Sequence, residues 1–103
     1  MGGRAKLLEG LTVVDMGVGL APALVQNFFS DNGARVIRVE PDEGDPFYAT
    51  YPAYEIWRRA TDKRSGVTEA ELSVLLAEAD VLLIGGEDHP AIKRRRGAGG
   101  ESR

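Results

Sequence analysis

The sequence predicts an α/β fold: a Rossmann-like parallel sheet with a βαβ crossover, forming the incomplete N-terminal portion of a larger domain. A short apolar run at residues 11–16 is followed by a glycine-containing turn, a stretch with helical periodicity and a second apolar run that ends before Pro41. That order, about 30 residues long, is typical of two parallel strands joined by a right-handed crossover helix. A third apolar run at residues 81–84 makes three strands, which is too few for a sheet covered on both faces.

The first strand and the crossover helix have clear sequence signals. β-Branched residues cluster at positions 12–16 between flanking glycines, which is typical of a short buried strand. Because proline is tolerated only in the first helical turn, Pro22 places the helix start near Leu20 or Ala21. Gly33 predicts the helix end, since glycine adopts the left-handed conformation readily. The apolar positions of this helix share one face and its border: Leu20, Leu24, Val25, Phe28 and Phe29.

The middle of the chain is predicted to hold one strand followed by irregular segments. Arg35–Val39 is the second strand, and Pro41 ends it because proline has no N–H to offer the sheet. Residues 42–52 mix Pro, Gly and Asp and are predicted as a loop, and residues 61–66 as a polar, basic turn. Between them a short helix is predicted at residues 54–60, with two inward apolar side chains, Ile56 and Trp57, and two solvent-facing cations, Arg58 and Arg59.

A capped helix and a third strand are predicted next. Thr68 and Glu71 have the spacing of a capping box, in which each side chain bonds the backbone amide of the other residue. Apolar residues follow at helical spacing: Leu72, Leu75, Leu76 and Ala79. The apolar run at residues 81–84 is typical of a strand covered on both faces. We therefore predict an α/β segment at residues 1–90 and a disordered, basic and glycine-rich tail at residues 91–103.

Composition excludes several function classes. The chain has 103 residues, no cysteine and one histidine, so we expect one domain at most, without disulfides, thiolate chemistry or a histidine-rich metal cluster. Residues 91–103 carry five basic side chains and one acid, whereas the other 90 residues carry 8 basic and 15 acidic ones, which argues against a nucleic-acid partner. No apolar run reaches the ~18 residues that span a bilayer, so no membrane partner is expected. The lack of cysteine is in keeping with a cytoplasmic location.

The glycine-containing turn after the first strand permits a dinucleotide interpretation. Gly17 and Gly19 follow a strand and open a helix, and Glu40 ends the next strand, where a ribose-binding acid belongs. The third glycine position holds Pro22, however, although helix and strand must approach closely there. Two interpretations of this turn stay open. It is either the dinucleotide-binding turn of an oxidoreductase fragment or a tight turn that needs glycine and whose amides face the crevice, where they suit an anion. A non-catalytic α/β module for protein interaction is a further alternative.

Five motifs resemble those of one known family and occur in the same order. They occupy residues 8–15, 33–41, 44–46, 62–65 and 79–82, where the chain reads LEGLTVVD, GARVIRVEP, Gly-Asp-Pro, DKRS and ADVL. The family is that of the class III CoA-transferases, which includes formyl-CoA transferase, carnitine CoA-transferase and the α-methylacyl-CoA racemases. The chain resembles the N-terminal part of that family only, over about residues 7–84.

The resemblance implies transfer of CoA between an acyl-CoA and a carboxylic acid, with residues 1–90 as a CoA-binding segment. CoA would be a substrate rather than a permanently bound cofactor, and the full-length enzyme would be a homodimer. Matching positions would lie along the pantetheine or nucleotide: Gly19, Leu20 and Ala21. Arg38 would lie near the nucleotide phosphates, and Lys63 and Arg64 would add positive charge, since phosphate oxygens suit such donors.

The charged residues also have simpler structural interpretations. The alternative for Arg38 is a salt bridge to Glu40 or a neighbouring acid, and for Lys63 and Arg64 it is a solvated turn. Asp15 is predicted to cap backbone amides at the end of the first strand rather than to act as a nucleophile.

The chain departs from the family pattern in CoA contacts and in catalysis. Val18 replaces a common Arg or His, and residues 84–90 lack an Asn-Phe pair expected near CoA. The family's nucleophile is an aspartate, expected well beyond residue 103, whose carboxylate attacks the thioester; the Asp and His of the racemases are expected there too. We therefore predict no catalytic residue in this chain, no activity for it alone, and association through exposed apolar surface.

Overall fold

The structure, a computed structural model, describes residues 7–58 and 62–85. Its helices and strands are β1 (Thr12–Asp15), α1 (Leu20–Asp31), β2 (Arg35–Val39), α2 (Phe47–Thr50), α3 (Pro52–Arg58), β3 (Asp62–Arg64), α4 (Glu69–Glu78) and β4 (Val81–Leu83). The predictions for residues 59–60 and 91–103, and for the side chains of Ile56 and Trp57, lie outside what the structure describes.

Four strands form one parallel sheet in the order β3-β2-β1-β4, which confirms the predicted Rossmann-like α/β fold and its βαβ crossover. In the register, Asp15 lies opposite Arg38 on one side and Leu83 on the other, and Arg38 lies opposite Lys63. The chain moves outward from β1 to β2 and β3, and then places β4 on the other side of β1. β1 and β4 therefore flank the point where the strand order reverses.

Strand alternation gives the sheet one apolar face and one mixed face. The apolar face and α4 form the main buried cluster: Val14, Met16, Ile37, Val39, Leu72 and Leu75. The opposite face begins with Val13 and Val36 and continues at the carboxyl ends with Asp15 and Arg38, all of them buried. Charged groups on this second face need polar partners: Arg58 of α3 pairs with Asp15, and Asp45, in the segment between β2 and α2, pairs with Arg38.

α1 begins and ends as predicted, but it turns a different face to the sheet. It runs over Leu20–Asp31, and Gly33 follows it with a φ of 96°. Its buried residues are Pro22, Ala23 and Gln26. Members of the predicted apolar face are exposed instead: Leu24, Val25 and Phe28. The sheet face beneath α1 carries Asp15 and Arg38, so small and polar side chains suit that contact better than large apolar ones.

Two short helices occupy the middle of the chain. α2 forms one turn inside the segment predicted as a loop at residues 42–52. α3 is the predicted short helix, and it begins at Pro52, two residues earlier than expected. Proline suits that first helical position because its missing N–H would have no intrahelical acceptor there.

Strand β3 corrects the prediction of a polar turn at residues 61–66. Its three residues pair in parallel with Ile37, Arg38 and Val39 of β2. Their side chains are charged and exposed or half-exposed, as is common for a strand at a sheet edge. The hydrophobic alternation that marks a strand in sequence is therefore absent, and the prediction from side-chain pattern was wrong.

The region of α4 and β4 agrees with prediction at the helix and differs at the strand. Thr68 Oγ1 accepts from Glu71 N at 3.1 Å, and Glu71 Oε1 accepts from Thr68 N at 2.9 Å, which confirms the capping box. β4 lies at an edge of the sheet among the described residues, and Leu82 is 41% exposed. The prediction of a strand covered on both faces was wrong for β4.

Candidate functional site

A small apolar crevice lies where the strand order reverses, between the first turn of α1 and the residues that follow β4. It encloses about 170 Å³ and is lined by Ala21, Pro22, Val25, Leu83, Ile84 and Gly85. Open α/β sheets bind ligands beyond the carboxyl ends of their strands at such reversal points. The crevice is therefore the candidate site, and its lining suits an uncharged part of a ligand.

A buried charged cluster, made of Asp15, Arg38, Asp45 and Arg58, lies behind the turn that joins β1 to α1. Arg38 Nη2 lies 2.5 Å from Asp45 Oδ2, and Arg38 Nη1 donates to the carbonyl oxygen of Gly17 at 2.6 Å. Arg38 Nε has no hydrogen-bond partner among the described residues but lies 3.7 Å from an oxygen of Glu40. Arg38 is thus paired with acids inside the protein, as the alternative interpretation of this residue predicts.

Arg58, at the end of α3, joins several elements in the same cluster. Its Nη1 donates to Asp15 Oδ2 at 2.5 Å and to Gln26 Oε1 at 2.7 Å. Its Nη2 donates to the carbonyl oxygens of Gly17 and Gly19, at 3.1 and 3.4 Å. The side chain is fully buried, so the prediction that Arg58 faces solvent was wrong. Buried acceptors need donors, and Arg58 supplies them to the strand end and the turn.

Tyr54 links the charged cluster to the turn through its hydroxyl group. The hydroxyl donates to Asp45 and accepts from the backbone amide of Gly19, 3.2 Å away. Burial, followed by the bond to the Asp45 carboxylate, raises the pKa of Tyr54. Arg58 lies one helical turn later on α3, with its guanidinium carbon 5.1 Å from the centre of the Tyr54 ring. The phenol therefore stays protonated and remains a donor at neutral pH.

The first amides of the turn are engaged inside the protein. Gly17 N donates to Asp15 Oδ1 at 2.9 Å, which confirms the prediction that Asp15 caps the strand end. Val18 N donates to the carbonyl oxygen of Gly85 at 3.2 Å, and Gly19 N is bound by the tyrosine hydroxyl. The expectation that the turn offers its amides to an anion was wrong for these three groups.

The six residues predicted to border a ligand are Gly19, Leu20, Ala21, Arg38, Lys63 and Arg64. The three turn residues lie at the start of α1, and Ala21 lines the crevice. Arg38 lies behind the turn, inside the charged cluster. The two β3 cations lie two strands away from β1, at roughly 10 Å by the usual strand spacing. Of these six residues, the structure thus brings Ala21 to the lining of the crevice, and it places the two cations further along the sheet.

Lys63 is an exposed cation beside Tyr48. Lys63 Nζ lies 3.4 Å from the Tyr48 hydroxyl and 5.3 Å from the centre of its ring. The same hydroxyl donates to Glu40 Oε2 at 2.5 Å, and burial followed by this bond raises the pKa of Tyr48. Because Lys63 is exposed, an anionic ligand can reach its charge.

Arg64 pairs with an acid on its own strand. Its Nη2 lies 2.9 Å from Asp62 Oδ2, and this hydrogen-bonded pairing raises the pKa of Arg64 and lowers that of Asp62. A second hollow of about 520 Å³ lies between the end of β3 and α4, lined by Arg64, Ser65, Gly66, Val67, Glu71, Val74 and Leu75. Arg64 therefore borders a concave surface other than the crevice.

Sequence reasoning missed three members of the site: Asp45, Tyr54 and Arg58. In the sequence, Asp45 belongs to the Gly-Asp-Pro motif at residues 44–46, and no neighbouring residue indicates that it pairs with Arg38. Tyr54 and Arg58 are four residues apart, a spacing that puts two side chains on one face of a helix. That spacing was the available signal, but nothing local indicated that this face is buried against Asp15.

Neither a metal site nor a membrane segment is found in the part of the chain that the structure describes. No three His, Cys, Asp or Glu side chains there are grouped to hold a metal ion. No helix among those residues is long and apolar enough to cross a membrane.

Comparison with known proteins gives one family and one similar structure. The sequence model of CoA-transferase family III matches residues 8–84. The crystal structure of a hypothetical protein, Rv3272, from Mycobacterium tuberculosis is similar with a TM-score of 0.65 and 26% sequence identity. The similarity covers 95% of this chain and 30% of that chain, so this chain spans less than a third of the length of Rv3272. None of the curated proteins matches the chain.

Proposed function

The chain belongs to CoA-transferase family III, and on that premise we propose that it forms part of the CoA-binding wall of an enzyme that moves CoA between an acyl-CoA and a carboxylic acid. Membership of this family supports a CoA-transferase-like function in general. We propose in addition which residues of this chain contact each part of CoA.

The observation that carries the proposal is the apolar crevice beside the reversal point of the sheet. The pantetheine arm of CoA is a long, uncharged chain, and Ala21, Val25 and Ile84 offer it an apolar surface. Gly19 has a φ of 113°, which a side chain would strain, so a glycine there lets the backbone turn sharply into α1. We assign Gly19, Leu20 and Ala21 to the pantetheine arm.

The phosphates of CoA would lie toward β3, where two cations are within reach of solvent. Lys63 is exposed, and the Arg64 side chain is 40% exposed. Ammonium and guanidinium groups both bind phosphate oxygens through charge-assisted hydrogen bonds. Arg38 would act differently, because Asp45 already neutralises its charge. Its part in the site is to hold the Gly17 carbonyl oxygen.

We assign the catalytic carboxylate to a part of the enzyme outside this chain. The chain spans 30% of its structural neighbour. Two aspartates are buried among the described residues, and each is already paired, Asp15 with Arg58 and Asp45 with Arg38. A buried carboxylate that is hydrogen-bonded to a guanidinium is poorly available for attack, and a thioester cannot reach it. Neither aspartate therefore suits the nucleophilic role. We therefore expect the chain alone to bind CoA without turning it over.

Three further features belong to the same proposal. The full-length enzyme would be a homodimer, and exposed apolar side chains such as Leu24, Phe28 and Leu82 are in keeping with cover by another polypeptide. A cytoplasmic location would suit a chain without cysteine. Racemisation of an acyl-CoA is the alternative chemistry within the family, and it would use the same binding wall.

The test is thermal unfolding of the 103-residue chain with CoA, with NAD and with NADP. CoA is expected to raise the Tm, because a ligand that binds only the folded state stabilises it. Stabilisation by NAD or NADP and not by CoA would contradict the proposal and favour the oxidoreductase alternative. If none of the three raises the Tm, the non-catalytic interaction module is the better interpretation.

A pair of matched variants tests the phosphate assignment by CoA titration. Lys63→Gln is expected to raise the Kd for CoA roughly two- to fivefold, the range for one exposed charge pair, and to leave binding of pantetheine unchanged. Arg35→Gln is the control, since Arg35 is an exposed cation at the other end of β2. Equal losses in both variants would mean general charge attraction and contradict the assignment of Lys63.

A further inference from the structure

We propose that Arg58 is a positioning residue for the crevice: from α3 it sets the direction of two peptide groups in the turn between β1 and α1. Its side chain is fully buried, so it acts on a ligand only through that turn. The consequence for CoA rests on the proposed function, whereas the effect on the turn does not.

The first peptide group joins Gly17 to Val18. The Gly17 carbonyl oxygen accepts from Arg58 Nη2 at 3.1 Å and from Arg38 Nη1 at 2.6 Å. In a planar trans peptide the N–H points away from the carbonyl oxygen, and Val18 N donates to the carbonyl oxygen of Gly85 at 3.2 Å. Two guanidinium groups on one side and Gly85 on the other therefore hold the turn against the end of β4, which lines the crevice.

The second peptide group joins Gly19 to Leu20. The Gly19 carbonyl oxygen accepts from Arg58 Nη2 at 3.4 Å and from Ala23 N at 3.3 Å. The N–H of Leu20 points away from both, and as the first residue of α1 it has no acceptor within the helix. Arg58 thus sets the direction of a helix-start amide beside Ala21, which lines the crevice.

The number of nitrogens matters as much as the charge. Arg58 uses Nη1 for Asp15 and Gln26, and Nη2 for the two turn carbonyls. A lysine would keep a positive charge beside Asp15 but has a single nitrogen on a flexible stem. Its three N–H donors cannot serve all four of these acceptors at once. The variant Arg58→Lys therefore separates charge from geometry.

The experiment compares Arg58→Lys with Arg35→Lys in the 103-residue chain, by amide hydrogen exchange and CoA titration. In Arg58→Lys, exchange at Val18 is expected to rise about tenfold, as for the loss of one buried hydrogen bond, with a similar rise in the Kd for CoA. Exchange at Ile37, in the central strand β2, is expected to stay within about twofold of its original rate. Arg35→Lys, at an exposed position, is expected to change neither quantity.

Several outcomes would overturn the proposal. Unchanged exchange at Val18, or an equal rise at Val18 and Ile37, would show that Arg58 has no specific hold on the turn. Unchanged CoA affinity despite faster exchange at Val18 would overturn the link to the ligand. If the unsubstituted chain binds no CoA, the proposed function fails, and the exchange at Val18 still decides the role of Arg58.

A measurement without substitution covers the case in which Arg58→Lys does not fold. In the unsubstituted protein, NMR is expected to show separate, slowly exchanging Nη signals for Arg58, with nuclear Overhauser contacts to Gly19. A single averaged signal in fast exchange with water would mean that the guanidinium is not held by the turn, and the proposal would be wrong.

Discussion

Arg38 and Arg58 donate to the same acceptor, the carbonyl oxygen of Gly17, at 2.6 and 3.1 Å. One arginine comes from a strand and the other from a helix. Each lies 2.5 Å from one aspartate, Arg38 from Asp45 and Arg58 from Asp15, and Arg38 also lies 3.9 Å from Asp15. Four buried charges thus sum to zero around one carbonyl group. Such a cluster is expensive to break, because the loss of one partner leaves an unpaired charge inside the protein.

Removing the charge of Asp45 is expected to be severely destabilising. Asp45→Asn leaves Arg38 buried without its carboxylate at 2.5 Å and weakens the acceptor for Tyr54. We expect the free energy of unfolding to fall by about 3–5 kcal/mol, measured by urea denaturation. Glu43→Gln is the control, since Glu43 is an exposed acid two residues away, and its effect is expected within about 0.5 kcal/mol. Similar losses in the two variants would contradict the role of the buried pair.

Stability is expected to fall at alkaline pH. Burial and a neighbouring carboxylate raise the pKa of both Tyr48 and Tyr54 above the ordinary value of 10.0. The folded protein therefore holds these protons more tightly than the unfolded chain. Stability from these groups is fully present below pH ~10 and is lost as the pH rises toward the folded-state pKa values.

Urea denaturation across pH 8–11, roughly centred on the ordinary tyrosine pKa, measures this slope. Tyr54→Phe is expected to lower stability at neutral pH and to reduce the alkaline decline, because it removes one of the two phenols. Tyr51→Phe is the control, since Tyr51 is exposed. If the free energy of unfolding declines with pH equally in Tyr54→Phe and in the original chain, Tyr54 is not a source of the decline.

Gly17→Ala is expected to destabilise the turn by a direct clash. A Cβ atom at Gly17 would lie 2.3 Å from Pro22 Cβ, a rigid ring atom that has little freedom to move. We expect a loss of about 2–3 kcal/mol in urea denaturation, in the upper part of the range for overpacking. Gly44→Ala is the comparison: its φ of +91° brings backbone strain, but no described atom lies within 4 Å of the new Cβ. A larger loss for Gly44→Ala would contradict the steric argument.

Thr68→Ala is expected to weaken the start of α4. The substitution removes the bond from Glu71 N to Thr68 Oγ1 and is expected to lower stability by about 0.5–2 kcal/mol. The second bond of the capping box, from the Thr68 amide to the Glu71 carboxylate, lowers the pKa of Glu71. The stabilisation from this second bond is therefore present above the ordinary Glu pKa and is lost as the pH falls. Thr50→Ala, at an exposed threonine, is the control in urea denaturation at pH 7 and pH 4, values roughly on either side of that pKa.

The exposed apolar side of α1 is expected to make the isolated chain associate. Leu24 and Phe28 are 57% and 58% exposed and lie one helical turn apart. Sedimentation velocity should show a concentration-dependent rise in mass, which Phe28→Lys reduces. Val74→Lys, at an exposed apolar residue of α4, is expected to leave the rise unchanged. A chain that stays monomeric at every concentration would contradict this expectation.

The sequence alone determined the features that depend on neighbouring residues. The strand–helix–strand order, the start of α1 near Leu20 and the capping box of Thr68 and Glu71 follow from periodicity and caps that act within a few positions. The family motifs could likewise be recognised in the sequence, because each is a contiguous stretch of residues. These features place the crevice beyond the carboxyl ends of the strands.

Only the tertiary structure decided which side chains the site uses. Arg58 meets Asp15 across 43 positions of sequence, and β3 pairs with β2 through backbone groups that carry no side-chain pattern. The burial of Arg58 depends on where α3 lies against the sheet, which no local preference specifies. From sequence alone a charged residue is predicted to face solvent, because the free energy of burying it depends almost wholly on partners that the sequence does not reveal.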